Sequence, residues 1–411
     1  MADTPAAPAF PMERAARCPF DPPPALVDLQ AAAPVSRIRI WDGSEPWLVT
    51  RHEDIRAVLS HPAISSDTDN PGYPHQSAAI QARRKRAKSF FTSDGPVEHD
   101  EPRRVLARDF TARRMQALRD HIQGITDQLI DSLLAGPKPV DLVEVFALPV
   151  PSLMICELLG VPYAAQDEFH GLTKAFVDRA STPEDTVAAT DRLLDLLGGL
   201  LDEKVIAPAD DLLSRLAQEQ LKTGLRTRDE LAKMALLLLT AGHETSANMI
   251  ALGTAALLSH PEQLEKVRTH ADDPALIANT VEELLRYLTV VHSGLRRVAG
   301  EDMEIGGQLI RKGEGIVCAI DTANRDPEAF ETESTLPADD LDVTRPARHH
   351  LAFSFGVHQC LGQQLARVEL QVVFGTLFRR IPTLALAQPL GDIDFKHDMS
   401  IYGAHSLLVT W

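Results

Sequence analysis

Cysteine is scarce in this chain. Cys18, Cys156, Cys318 and Cys360 are its only four among 411 residues, far apart and with no CxxC pair. That spacing argues against a disulfide framework or a structural zinc and fits a reducing, cytoplasmic setting. Aromatic residues make up only 5% while Leu and Ala dominate, which favours helices over sandwiches and barrels. Positive charge is also short: 41 Lys and Arg face 58 Asp and Glu, a net charge of −17, which speaks against a global role on nucleic acid. No run of eighteen apolar residues exists. The richest stretch, "LAKMALLLLTAGHET" (231–245), is too short and is interrupted by Lys233, His243 and Glu244. The first thirty residues hold no apolar core of signal-peptide type. A soluble cytoplasmic protein without membrane contact is expected.

What is present is enough apolar material, 44% of residues, for a large core that is either one big domain or a fused pair. Prolines through residue 34 predict an extended arm on the surface (1–34), ahead of one domain spanning 35–411. "RIRIW" and "PWLVT" read as short strands and "HEDIRAVLSHP" as a helix with a proline stop. Residues 61–96 read as a long polar loop, its basic run "RRKRAK" (83–88) a solvated part of it or a patch for an anionic partner. From about 99 to 260 the pattern is helical, with some thirty proline-free residues after Thr227 that are apolar nearly all round and so should cross the middle of the molecule. "PALIANTVEELLRYL" is a further helix. Residues 295–320 turn to short strands, and a helix, "QQLARVELQVVFGTLFRRI", closes the pattern. The fold class is mostly α with small β-sheets.

The stretch "FSFGVHQCLG" (353–362) sets Cys360 among Phe353, Gly356, His358 and Gly362. A buried apolar thiol, a nucleophile and a thiolate metal ligand are the three readings. As a ligand the sulfur needs backbone N–H groups to soften its charge. Gly356 would permit a tight turn bringing such groups near, Gly362 would let the next helix approach a flat ligand, and that helix's positive end would lie close. A buried loop cysteine explains the thiol alone and leaves the four neighbours unconnected.

"FSFGVHQCLG" resembles the FxxGxHxCxG signature of the cytochrome P-450 family, haem-thiolate monooxygenases, a specific pattern of five spaced positions. The resemblance implies a single-domain fold with a long central helix crossing over haem b (iron protoporphyrin IX). It implies Cys360 as axial iron ligand, its thiolate pushing electron density toward bound oxygen to favour O–O cleavage. Glu283 and Arg286 in "EELLR" resemble the family's ion-pair helix, and Arg345 in "LDVTRPAR" its third member, together a structural network; an isolated ExxR alone carries little weight. "AGHET" resembles the oxygen-activation segment. Ala241 and Gly242 make room there, and Glu244 with Thr245 form an acid–alcohol pair for proton delivery; the plain alternative has Thr245 bonded to an upstream carbonyl and Gly242 as a packing contact. His243-Glu244 is no zinc motif, since position 247 is Ala and HExxH is absent. His99 and Arg103 in "VEHDEPRR" resemble the family's HxxxR, and Arg297 its R-x-A. With His358 these are four candidate partners for two haem propionates, while Arg296 and Arg104 read as surface residues or partner contacts. The likeness runs from about residue 35 to the terminal "LLVTW" and is nearest to soluble actinobacterial members.

By the same resemblance the distal pocket is walled by the 61–96 loop, Leu238 and Ala241, Val290 and Val291, and the turn holding Ile401, although core packing would equally explain the valines. Such a pocket suits a hydrophobic small molecule that is hydroxylated or epoxidised, in secondary metabolism or as a xenobiotic. With no reductase domain visible, electrons are expected from a separate ferredoxin and ferredoxin reductase. The donor would dock on a basic face of Arg103, Arg104, Arg108, Arg113, Arg114, Arg348 and Arg367. A monomer using O2 is expected. The competing class is a non-catalytic haem-binding accessory protein of the same fold, disfavoured because Cys360, Glu244 and Thr245 are all present.

Overall fold

The proline-free stretch after Thr227 forms one helix of 32 residues, Arg228–Ser259, about 48 Å at 1.5 Å per residue. A reciprocal cap fixes its start: Thr227 Oγ1 accepts from the Glu230 N–H at 3.3 Å and the Glu230 carboxylate accepts the Thr227 N–H at 2.7 Å. Every residue from Ser246 to Leu257 is buried, as expected of a helix apolar all round. This computed structural model describes residues 7–15, 18–88, 96–162, 168–169, 171–172, 182–331, 334–397 and 399–411.

Two apolar cores meet along the central helix. Leu231–Leu239 packs with the helices Pro149–Leu159 and Pro183–Ile206. Met249–Leu257 packs with Pro274–Leu288 and with the helix that follows Cys360, Gln363–Arg380. Between the two lies the segment 241–246, where Ala241, Gly242, Thr245 and Ser246 line a cavity. The local sequence produces this gap, because Ala241, Gly242 and Thr245 offer too little apolar bulk to join either core.

The strands are few and short. The main sheet has the order β1 (Val35–Arg37), β2 (Trp47–Val49), β8 (Gly315–Cys318), β5 (Leu295–Ala299) and β3 (Ile64–Ser65), with β2 and β8 parallel and the other pairs antiparallel. A three-stranded sheet joins β4 (Val140–Asp141), β10 (Leu408–Thr410) and β9 (Ala385–Leu386), and β6 (Met303–Ile305) pairs with β7 (Gln308–Ile310). A mostly helical fold with small sheets is therefore what the chain adopts.

Three local expectations fail. The arm does not merely lie on the surface, because Phe10, Phe20 and Leu26 are buried and Pro24–Ala32 is a helix. Their apolar side chains outweigh the proline signals. Residues 61–96 are no simple loop: they contain strand Ile64–Ser65 and helix Ala78–Arg86, which takes in most of the basic run and packs on Pro183–Ile206. Arg86 pairs with Asp191 at 2.7 Å, and Lys88 with Asp67 and Asp69 at 2.6 Å each, so much of that charge is spent inside the chain. Residues 89–95 of that stretch lie outside the described residues.

Candidate active site

The Cys360 loop is closed by its own backbone: the Cys360 N–H donates to Phe353 O at 2.8 Å and the Ser354 N–H to Leu351 O at 2.8 Å. Gly356 holds φ +74°, and a Cβ there would lie 2.4 Å from Leu59 O. Glycine is thus required both by the left-handed turn and by the loop's seat on helix His52–Ser60. Gly356 itself is not among the cavity residues. The sulfur receives the backbone N–H groups of Gly362 and Gln363, at the start of Gln363–Arg380, where the helix end adds positive potential.

Cys360 is accessible where it lines the cavity, yet the protein around it pushes its thiol up. The Gly362 N–H, Arg103, Arg367 and the Gln363 N–H all pull the other way. The contrast with the buried thiols is sharp: burial drives Cys156 to about 11 and Cys318 to about 12. Unlike Cys156 and Cys318, Cys360 has both an open side and several groups that favour its anion.

The cavity holds about 360 Å³ and brings together Cys360, Phe353, His358 and Gly362 with Leu238, Ala241, Gly242, Thr245, Val290, Val291 and Arg297. Other predicted residues stand around it. His99 is buried and its ring lies 4.2 Å from that of His358, centroid to centroid. His358 Nε2 meets Ser66 Oγ at 3.1 Å. Arg103 donates to Gln359 O at 2.5 Å; burial lowers its guanidinium's pKa, against the raising effect of Cys360 and Asp100. Arg297 donates to Arg296 O at 2.8 Å. Arg296 is no surface residue: it is buried, donates to Pro74 O at 2.7 Å, and burial pulls it to about 10. Arg104 is exposed.

On the central helix Thr245 Oγ1 donates to Ala241 O at 2.8 Å, the plain helical bond of the alternative reading. Gly242 both lines the cavity and abuts Ile155, whose Cδ1 would be 3.2 Å from an added Cβ. Glu244 is not among the lining residues; its carboxylate accepts from Asn248 Nδ2 at 3.1 Å and Lys396 Nζ at 3.4 Å. Ile401 also lies outside the lining and packs half-buried against the core. Its neighbour Tyr402 pins the turn by donating its N–H to Val290 O at 2.7 Å.

Glu283, Arg286 and Arg345 do come together, fully buried. Arg286 grips Glu283 with two bonds of 2.7 and 2.8 Å, and Arg345 Nε reaches the same carboxylate at 3.4 Å. Both guanidinium groups spend their remaining donors on carbonyls, among them Asn324 and Ala338 for Arg286 and Pro337 for Arg345. The predicted basic face is weaker than its arginine count. Arg367 is half-buried against Glu282 at 2.6 Å, Arg114 pairs with buried Asp109, and Arg108 with Glu219 at 3.1 Å. Arg113 and Arg348 remain exposed, like Arg104.

Glu369 and Ser246, which sequence reasoning missed, also line the cavity. Burial pushes the Glu369 carboxyl up to about 8, with a Ser246 hydrogen bond pulling the other way. The available signal was a lone acid between Val368 and Leu370 on a helix.

A sequence model described as Cytochrome P450 matches residues 201–384. Over 406 residues the chain is 52% identical to Cytochrome P450 GfsF of Streptomyces halstedii, covering 98% of this chain and 96% of that protein. The crystal structure of GfsF matches with a TM-score of 0.92 over 98% of this chain and 100% of that one. Pentalenic acid synthase of Streptomyces avermitilis is 46% identical, with 98% of this chain and 97% of that protein covered. The structure of MycCI, the mycinamicin VIII C21 methyl hydroxylase of Micromonospora griseorubida, bound to mycinamicin VIII, matches at 37% identity and a TM-score of 0.89. It covers 98% of this chain and 100% of that one.

Proposed function

The chain belongs to the cytochrome P450 family of haem-dependent monooxygenases, and from that premise we propose that it inserts one atom of O2 into a hydrophobic small molecule of secondary metabolism. The reaction is a hydroxylation or epoxidation, with electrons from a separate ferredoxin and its reductase. One observation carries the reading: Cys360, with two backbone N–H groups on its sulfur, opens on the same cavity as the Ala241–Thr245 segment of the central helix.

The residues present fit haem b. A Cβ added at Gly362 would meet no atom within 4 Å, so a flat group has room there. His99 Nε2 is buried and has no hydrogen-bond partner among the described residues, as befits a donor to a carboxylate that belongs to the group. In this reading Cys360 would ligate the haem iron and Phe353, Gly356 and Gly362 would shape its seat. His99, Arg103, Arg297 and His358 would hold the two propionates. Bound there, the haem supplies O2 binding and activation.

The remaining work falls to this chain's own side chains. Leu238, Val290 and Val291 bind the apolar substrate and exclude water. Ala241 and Gly242 leave space above the helix backbone. Thr245 turns its hydroxyl from Ala241 O to hand a proton into the cavity, and Glu244 resupplies it through water. Glu283, Arg286 and Arg345 stay out of the chemistry and hold the Cys360 side of the core. Two of the relatives act on small secondary metabolites by their names, pentalenic acid synthase and the mycinamicin VIII hydroxylase, which supports a substrate of that broad class. Arg104, Arg113 and Arg348 offer an acidic ferredoxin a modest basic contact that salt should weaken.

Spectral titration of the holoprotein with a panel of apolar compounds identifies ligands that displace iron-bound water. With one of them, Thr245→Ala should send a larger share of electrons to peroxide, by about tenfold. Unchanged coupling would contradict the role of Thr245.

A further inference from the structure

Lys396 is 6% exposed, an expensive place for an ammonium group without a partner. Its Nζ lies 3.1 Å from Asn248 Oδ1 and 3.4 Å from Glu244 Oε2. Asn248 Nδ2 in turn donates to Glu244 O at 2.8 Å and to Glu244 Oε2 at 3.1 Å. The other carboxylate oxygen of Glu244 lies 3.8 Å from His243 Nδ1. One acid is thus held by a lysine and an amide whose orientation both partners fix. The result is visible in the cavity wall: Gly242 and Thr245 line it and Glu244 between them does not.

The turn that carries the lysine is built for this contact. Its Lys396 N–H donates to Gly403 O at 2.8 Å. A Cβ at Gly403 would fall 1.8 Å from Asn248 Oδ1, so only glycine lets the turn sit so close to the central helix. The same turn hangs on the cavity wall: the Tyr402 N–H donates to Val290 O at 2.7 Å and Met399 O meets His292 Nε2 at 2.5 Å. A molecule that displaces Val290 therefore pulls on the element that bears Lys396.

We propose that Lys396 is a positioning residue that latches the Glu244 carboxylate outside the cavity, so that the acid reaches Thr245 only when this ion pair is released. The inference rests on the reading of Glu244 and Thr245 as the proton-delivering pair. The latch keeps proton supply low while the cavity is empty and ties its release to the wall at Val290.

The test compares K396M, K396R, E244Q and the double variant K396M/E244Q as holoproteins. In the crystal structure of K396M the Glu244 carboxylate should leave Asn248 and turn toward the cavity. Electron consumption without substrate should rise about tenfold. K396R should return both to the parent state, which a merely structural lysine would not require. Should K396M fold poorly because it strands a buried carboxylate, the double variant should recover the parent's unfolding midpoint and show no raised electron consumption. Glu244 unmoved and electron consumption unchanged in K396M would overturn the latch. If E244Q alone alters coupling while K396M does neither, the latch falls and the acid assignment stands. If E244Q has no effect on coupling, the acid assignment falls, and an unmoved Glu244 in K396M then removes the latch as well.

Discussion

Glu282 and Glu283 are buried outside the cavity lining, Glu369 is buried within it and Glu244 is half-buried beside it, and the two pairs are treated oppositely. Glu283 is gripped by Arg286 and approached by Arg345. Its neighbour Glu282 accepts from Arg367 at 2.6 Å and from His350 at 3.1 Å. His350 Nδ1 accepts the Ala352 N–H, so its proton sits on Nε2 and it donates to Glu282 while neutral. Burial works against the Glu282 charge, and the His350 and Arg367 bonds overrule it, holding the carboxyl near 2. Burial likewise lowers His350 itself. The pair is consistent with a neutral imidazole donating to an ionised acid, the charge being met by Arg367. Glu369, in the cavity wall, has a serine for a partner and is pushed up to about 8, and Glu244, outside the lining, shares one lysine with an asparagine. Where guanidinium groups anchor the carboxylate, the acid is structure. Where no guanidinium holds it, the acid keeps the freedom that proton chemistry requires.

The comparison breaks most visibly at Glu283. Glu283→Gln leaves two buried guanidinium groups around a neutral amide and should cost about 3–5 kcal/mol, read as lost haem retention and a lowered unfolding midpoint. A variant as stable as the parent would remove the network from the structural account.

A smaller effect sharpens the other side. The folded-state value of Glu369, about 8, lies above the ordinary 4.5, so the folded chain keeps a proton that the unfolded chain gives up. This acid therefore costs no stability below pH 4.5, and its penalty grows as pH rises toward 8. Glu369→Gln cannot ionise and should gain about 4 kcal/mol over the parent at pH 8 and well under 1 kcal/mol at pH 4.5, measured by unfolding across that range. Parallel pH profiles would show that Glu369 ionises freely where it sits.

Much of this was legible in the residues themselves. The Cys360 motif, the proline-free central helix and the Glu283-x-x-Arg286 spacing are local patterns, and each survives as the element it suggested. What stayed hidden depends on contacts distant in sequence. Lys396 reads as one charge in the polar stretch "DFKHDMS", and it is buried only because the turn folds back on a helix some 150 residues earlier. The basic run 83–88 looks solvated until its helix meets Pro183–Ile206. Arg367 counted as surface charge because helix periodicity does not reveal that Glu282 waits opposite. Phe10 and Leu26 were masked by the prolines around them, though their size alone argued for burial.

The central claim is a thiolate from Cys360 on the haem iron. Purified holoprotein, reduced and exposed to CO, should show the red-shifted Soret band of thiolate ligation, and Cys360→Ala should lose it. A histidine-type spectrum in the parent, or the same red-shifted band in Cys360→Ala, would contradict the account.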